Sequence, residues 1–226
     1  MSKVKKRYIA LGLLVLGIGG LFLDYKYGCS SRYITPNTFR DSRKIEHMIK
    51  CLESGKLDPN AKVDYHKWGM LSLLMAASRS GELKLVQVLI QAGADVNERD
   101  QFGQGALAQA VVYMGSNFEI GIALMENGAD PNVIPLNGNT VINSMVRHAD
   151  PEWLQRYIDS GMDAISDDGY AIRMAAFKDI PLSLDVLLNS LKPEEAREFA
   201  REIRQSPWYK RDQLTERVIV ILRKFE

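Results

Sequence analysis

Reaction chemistry is what this chain is short of. Its 226 residues include three histidines, His47, His66 and His148, too widely separated for a metal motif. Neither H-E-x-x-H nor C-x-x-C occurs, which removes the common zinc and dithiol patterns. No G-x-S-x-G elbow is present, so an acyl-transfer serine has no local mark. The acidic pairs Asp167-Asp168 and Glu194-Glu195 read as helix-start and solvent-facing charges rather than acid-base partners. No catalytic residue, cofactor or metal is expected. Charge of one sign is also missing: the chain is 25% charged with a net charge of +1, and no basic face points to nucleic acid. Only two cysteines occur, Cys29 and Cys51. Cys29 lies in a tether and Cys51 in a helix that should bury it, so two free thiols are the expectation. One disulfide is the alternative in an oxidising compartment.

What the chain has instead is a repeat. Gln91-Ala92-Gly93-Ala94-Asp95-Val96-Asn97-Glu98-Arg99-Asp100 returns as Ser54-Gly55-Lys56-Leu57-Asp58-Pro59-Asn60, as Glu126-Asn127-Gly128-Ala129-Asp130-Pro131-Asn132 and as Ser160-Gly161-Met162-Asp163. The aspartates at 58, 95, 130 and 163 are separated by 37, 35 and 33 residues, a period that marks stacked supersecondary units. Within the best unit, Leu74 and Ala77 belong to a short first helix that Gly81 breaks. Leu85, Val86, Leu89 and Ile90 recur at helical spacing and give a second helix an apolar stripe. Gly93 falls where that helix should end, in a left-handed conformation that glycine adopts without a Cβ clash. Asp95 and Asn97 suit the following turn, because their short side chains bond to nearby backbone groups. One such pair cannot bury its apolar face alone, so neighbours must complete the core.

The unit from Ser72 to Asp100 resembles the ankyrin repeat. Ser72-Leu73-Leu74-Met75-Ala76-Ala77-Ser78 stands where that family has Thr-Pro-Leu-His-x-Ala-Ala, and the Gly-Ala-Asp-Val-Asn run follows the second helix. The likeness covers roughly residues 40 to 190 and thins outward. Asp100-Gln101-Phe102-Gly103 opens the next unit, with Leu107, Ala110 and Val111 in its first helix and Ile120, Leu124 and Met125 in its second; Tyr113 to Asn117 lengthens the connection between them. Asn137-Gly138-Asn139-Thr140 and Asp168-Gly169-Tyr170 open two more. In the last of these Arg173 falls near an expected core leucine, which leaves the register open. Around Ile45 to Asn60 only a second helix is convincing. Gly103-Gln104-Gly105-Ala106-Leu107-Ala108 matches G-x-G-x-x-A, but no strand precedes it, and the period explains both glycines as turn residues.

The fold expected is all-α: an ankyrin-repeat solenoid of about five helix-pair repeats over residues 40–191, with β-hairpin-like turns. A helical cap over 192–226 follows, starting at Pro193-Glu194-Glu195, interrupted at Pro207 and resuming with the stripe Leu214, Val218, Ile221 and Leu222. A different element precedes the array. Lys3, Lys5, Lys6 and Arg7 lead into the uncharged run Tyr8–Leu23, the pattern of a secretory signal or signal-anchor. Its 16 residues span roughly 24 Å as a helix, short of a ~30 Å hydrocarbon core; Tyr25, Lys26 and Tyr27 supply an interfacial flank. The lack of an Ala-x-Ala cleavage site favours retention of residues 1–28 as an N-terminal membrane anchor helix, with 29–39 as tether. Lys26, three positions ahead of Cys29, departs from the apolar residue that lipoprotein signals place there. The positive-inside rule then puts the repeats across the membrane: a single-pass protein of the bacterial inner membrane facing the periplasm, or a soluble periplasmic protein if the segment is cleaved.

In proteins similar to this one the hairpin tips and first helices form a concave face that binds another protein. Carried onto this sequence, that face comprises Tyr65, His66, Lys67 and Trp68 on one tip, Gln101, Phe102 and Gln104 on the next, and Pro135, Leu136, Asn137 and Asn139 on a third. Met75 and Arg79 lie beside them, with Tyr113 and Met114 of the longer connection. Aromatic residues, methionine and arginine are enriched at interfaces, although Trp68 and Phe102 have a second role open to them, folding back onto neighbouring repeats. The layout of anchor plus array resembles bacterial ankyrin immunity proteins, which neutralise secreted antibacterial effectors such as type VI phospholipases. The resemblance implies one protein partner, a lipase-type toxin, occluded at its active or membrane-docking surface. A non-inhibitory envelope scaffold is the alternative.

Overall fold

Hydroxyl caps set two of the first helices. Ser72 Oγ accepts from Met75 N at 3.2 Å, and Thr140 Oγ1 from Asn143 N at 3.3 Å, each satisfying an N–H that a helix start leaves unpaired. A computed structural model describes residues 28–65, 69–112, 117–206 and 214–226. The run Tyr8–Leu23, for which a membrane helix is expected, lies outside them, as does Pro207. Among the described residues no helix is long and apolar enough to cross a membrane.

Those residues contain eleven α-helices and one two-stranded hairpin. In chain order the elements are α1 (Ser42–Glu53), β1 (Lys62–Asp64), β2 (Met70–Ser72), α2 (Leu73–Ser80), α3 (Leu83–Gln91), α4 (Ala106–Val112), α5 (Phe118–Glu126), α6 (Val141–His148), α7 (Pro151–Asp159), α8 (Tyr170–Phe177), α9 (Pro181–Asn189), α10 (Pro193–Gln205) and α11 (Glu216–Arg223). Strands β1 and β2 pair antiparallel with Val63 opposite Leu71, so one of the turns expected to be hairpin-like is a true hairpin. The first helices α2, α4, α6 and α8 stack on one another, and α10 continues the row; the second helices α1, α3 and α5 stack behind, as do α7, α9 and α11. In the unit with only a second helix, α1, the 3-10 turn Pro36–Arg40 fills the missing place. It packs on α1 and α2 and buries Phe39.

The core is one continuous cluster running from Phe39 to Leu222. Small residues let the first helices approach: Ala76, Ala77, Ala110 and Ala175 are all fully enclosed. Arg173 proves not to occupy a core position. Its neighbours Ile172 and Met174 are buried, while its guanidinium sits over Phe199 of α10 and pairs with Glu202 at 3.3 Å. The register left open by the sequence is thus resolved by the cap. The other end of the cap is tied down by Lys224 to Asp185 at 2.9 Å.

Between repeats runs a ladder of asparagines. Asn60 accepts from Asp95 N at 2.8 Å and donates to Gly93 O at 3.4 Å. Asn97 repeats this toward Asp130 N and Gly128 O at 3.0 and 2.8 Å, and Asn132 toward Asp163 N and Gly161 O at 2.8 and 3.2 Å. The aspartates act locally, each accepting from the N–H two residues on: Asp58, Asp95, Asp130 and Asp163 from Asn60, Asn97, Asn132 and Ile165. At the last rung Ile165 stands in the asparagine's place, and the ladder ends ahead of the last repeat, α8 and α9.

The cysteines correct the free-thiol expectation: Cys29 and Cys51 form a disulfide. Two 3-10 turns, Ser31–Tyr33 and Pro36–Arg40, fold the tether back over α1 and bring the two Cα atoms to 5.5 Å, within bridging reach.

Candidate protein-binding face

The tips are ordered by side chains that also hold the array. Asp100 Oδ1 accepts from Phe102 N at 2.8 Å and Gln104 N at 3.0 Å, which closes the second tip as a tight loop. Its other oxygen accepts from Gln109 Nε2 at 3.2 Å, and Gln109 Oε1 accepts from Arg79 Nη1 at 2.9 Å. A polar chain therefore runs from α2 through α4 to the tip. On the third tip, Asn137 Oδ1 accepts from Asn139 N at 3.0 Å, and Asn139 Oδ1 accepts from Arg147 of α6 at 2.8 Å. The tips are joined to each other as well: Leu136 N donates to Phe102 O at 3.0 Å, and Gly69 of the first tip lies against the Gln101 amide. Such bonding reduces the freedom a partner would otherwise have to freeze.

The expected face is distributed unevenly. Phe102 is 36% exposed and Leu136 83% exposed, and Gln101 and Asn137 face solvent, with Tyr65, Arg79 and Asn139 half-buried. Met75 and Gln104 are each 1% exposed, a departure from their expected place on the surface. Met75 is enclosed because it follows Ser72 by three residues and faces into the helix stack; Gln104 is drawn inward when its N–H bonds Asp100. His66, Lys67, Trp68, Tyr113 and Met114 lie outside the described residues. Two apolar side chains absent from the expected face are on it: Met70, 52% exposed beside Gly69, and Ile134, 59% exposed beside Pro135.

The two glycines of the dinucleotide-like stretch divide in role. Gly103 has φ 77° and turns the tip, as expected. Gly105 is a packing glycine, since a Cβ there would lie 3.2 Å from Glu98 O. Among the described residues, the one group of three or more Cys, His, Asp or Glu side chains close enough to share a metal is Cys29, His47 and Cys51. Spacing along the chain concealed it, because Cys29 is 22 residues from Cys51; only the helical i, i+4 pair His47 and Cys51 was visible. One phenol has an altered acidity: burial pushes the Tyr157 hydroxyl well above the ordinary tyrosine range, with Arg156 opposing.

Residues 43–135 match the family described as ankyrin repeats (3 copies). The chain is 38% identical over 128 residues to the ankyrin repeat and SAM domain-containing protein 6 of Rattus norvegicus; the alignment covers 53% of this chain and 14% of that protein. It thus spans a small part of the relative's length. The matched residues run from α1 through the second tip to the start of the third, the stretch that holds the ladder asparagines Asn60, Asn97 and Asn132 and the polar chain from Arg79. Residues 43–135 thus carry ankyrin repeats, and such repeats indicate a protein-binding module.

Proposed function

We propose that this chain is an immunity protein of the bacterial envelope, held at the inner membrane by Tyr8–Leu23 with its array in the periplasm. It would cover the active or membrane-docking surface of one secreted antibacterial effector, a phospholipase by preference. The observation that carries the binding role is the exposed apolar row Phe102, Ile134 and Leu136 on tips already fixed by hydrogen bonds. Apolar and aromatic anchors set in a polar rim are what a tight interface uses, and here Gln101, Asn137 and Asn139 supply the rim. The Cys29–Cys51 bond supports placement in an oxidising compartment, in keeping with the basic start and apolar run. The toxin as partner is supported by the likeness of layout.

The deciding experiment is a paired one. Crosslink the anchored full-length chain in cells, purify it and identify its partner; then challenge cells lacking it with toxin-bearing siblings. A lytic enzyme in the crosslinked sample and death of the deficient cells are expected. A non-enzymatic envelope partner with full survival would replace immunity by scaffolding.

A further inference from the structure

Outside the tip face, the chemistry-bearing side chains of the described residues converge at one place. Cys29 from the tether meets His47 and Cys51, which lie one turn apart on the same face of α1. His47 Nε2 is 3.5 Å from Cys51 Sγ and 3.3 Å from Gly28 O, and the three potential ligand atoms lie within 4.8 Å of one another. We propose that, once the Cys29–Cys51 bond is reduced, these three side chains bind a zinc ion, with a solvent molecule as the fourth ligand.

The distances suit that ion. Tetrahedral zinc with sulfur at about 2.3 Å and nitrogen at about 2.0 Å holds its ligand atoms roughly 3.3–3.8 Å apart. The His47–Cys51 pair already has this separation, and on reduction the two sulfurs must part. Cys29 can supply that movement because it sits on the tether ahead of the first 3-10 turn, whereas Cys51 is fixed in the helix. Beside the group lies a cavity of about 40 Å³ lined by Tyr33, Ile34, Thr38, Lys44 and Leu57, room for a metal-bound water. His47 would exchange its contact with Gly28 O for the metal through Nε2, leaving the proton on Nδ1.

The electrons balance with a phosphine as reductant. It gives two electrons to the S–S bond and is oxidised to the phosphine oxide with the oxygen of one water, whose two protons go to the sulfurs. Zinc then displaces both thiol protons, so binding releases about two protons per ion. The tether stays fastened to α1 in either redox state, by a covalent bond when oxidised and by metal when reduced. This inference does not depend on the immunity reading.

The test uses the full-length chain in detergent, reduced anaerobically with a phosphine that is then removed. Cobalt(II) is titrated in as a spectroscopic stand-in and afterwards displaced by zinc. One cobalt per chain, with thiolate charge-transfer and tetrahedral ligand-field bands, is expected, and the oxidised chain should show neither. His47→Ala should weaken binding by more than about tenfold, since even outer-shell partners of a metal are worth that much, and Cys51→Ser should remove the thiolate band. Zinc should also raise the melting temperature of the reduced chain. The proposal is overturned if reduced protein shows no stoichiometric binding and no thermal shift, or if His47→Ala binds as tightly as the parent.

Discussion

The hydroxyl of Tyr157 on α7 occupies the space that a Cβ on Gly121 of α5 would need. Tyr157 is fully buried and donates to Phe118 O at 2.9 Å, one turn before Gly121 on the same helix. Phe118 meets the same ring edge-on at 6.3 Å between centroids. The missing side chain at 121 therefore lets two second helices lock through one phenol.

Gly121→Ala should be among the most damaging single-atom additions to the array. The new methyl would coincide with the hydroxyl and lie 2.6 Å from Cζ, with Leu107 at 3.2 Å on its other side. Overpacking of this kind costs about 3 kcal/mol, outweighing the gain in helix propensity of about 1 kcal/mol. Thermal unfolding should show the loss, and the penalty should shrink in a Tyr157→Phe background. Equal penalties in both backgrounds would disprove the contact.

The same phenol predicts a pH dependence. Burial raises its pKa in the folded chain, whereas the unfolded chain ionises near the ordinary value of about 10. The folded state thus keeps a proton that the unfolded state gives up, so this contribution is fully present below pH ~10 and declines as pH rises above it. Denaturant unfolding at stepped alkaline pH should show a shallower fall for Tyr157→Phe than for the parent. The variant itself should lose about 1 kcal/mol at neutral pH from the missing hydrogen bond.

Gly121 also shows where the sequence stopped being readable. The period, the helix pairs and the left-handed helix ends followed from local chemistry: a turn glycine or a capping serine acts on residues within four positions. Gly121, in the helix carrying Ile120, Leu124 and Met125, has no local signal of its role, because its partner Tyr157 is 36 residues away. Cys29 and Cys51 were equally opaque, since a tether's path is set by tertiary packing of the Pro36–Arg40 turn. On the face, Phe102 and Leu136 were legible as tip residues. Met75 was not, because the helix register that buries it depends on Ser72 as N-cap. Asp95 and Asn97 were legible as a turn, but of their bonds only that from Asn97 N to Asp95 Oδ1 is local, while those to Asn60, Asp130 and Gly128 reach neighbouring repeats.

Asn97 reaches across to the next repeat, and this is measurable. Asn97→Ala removes the bonds to Asp130 N and Gly128 O while leaving the Asp95 bond to its own backbone N–H intact. With two exposed hydrogen bonds lost, a destabilisation of about 1–2 kcal/mol is expected. Asp95→Ala should cost less, since it severs one local bond. Urea denaturation of the two variants gives the comparison, and the reverse order would contradict the ladder.

Gly93 isolates backbone strain from packing. Its φ is 90°, and a Cβ there would meet no other atom within 4 Å. Gly93→Val should still cost more than about 1 kcal/mol, because a β-branched residue resists positive φ. Gly93→Asn should be milder, since asparagine tolerates the left-handed region. Calorimetry should therefore rank parent, asparagine and valine in descending melting temperature.

The final prediction concerns the face. Asp100 holds the second tip by accepting from Phe102 N and Gln104 N while also engaging Gln109, yet its tip lies at the surface. Asp100→Ala should loosen the tip and weaken partner capture by about tenfold through lost preorganisation, with a modest drop in melting temperature. Phe102→Ser combined with Leu136→Ser removes apolar anchors without touching those bonds, so it should weaken capture at least as much, with a fall in melting temperature confined to the buried part of the Phe102 ring. The comparison separates two physical causes, a tip that is badly held and a tip that has nothing to insert. If the double variant captures the partner as the parent does, recognition lies on the first helices around Arg79 rather than on the tips.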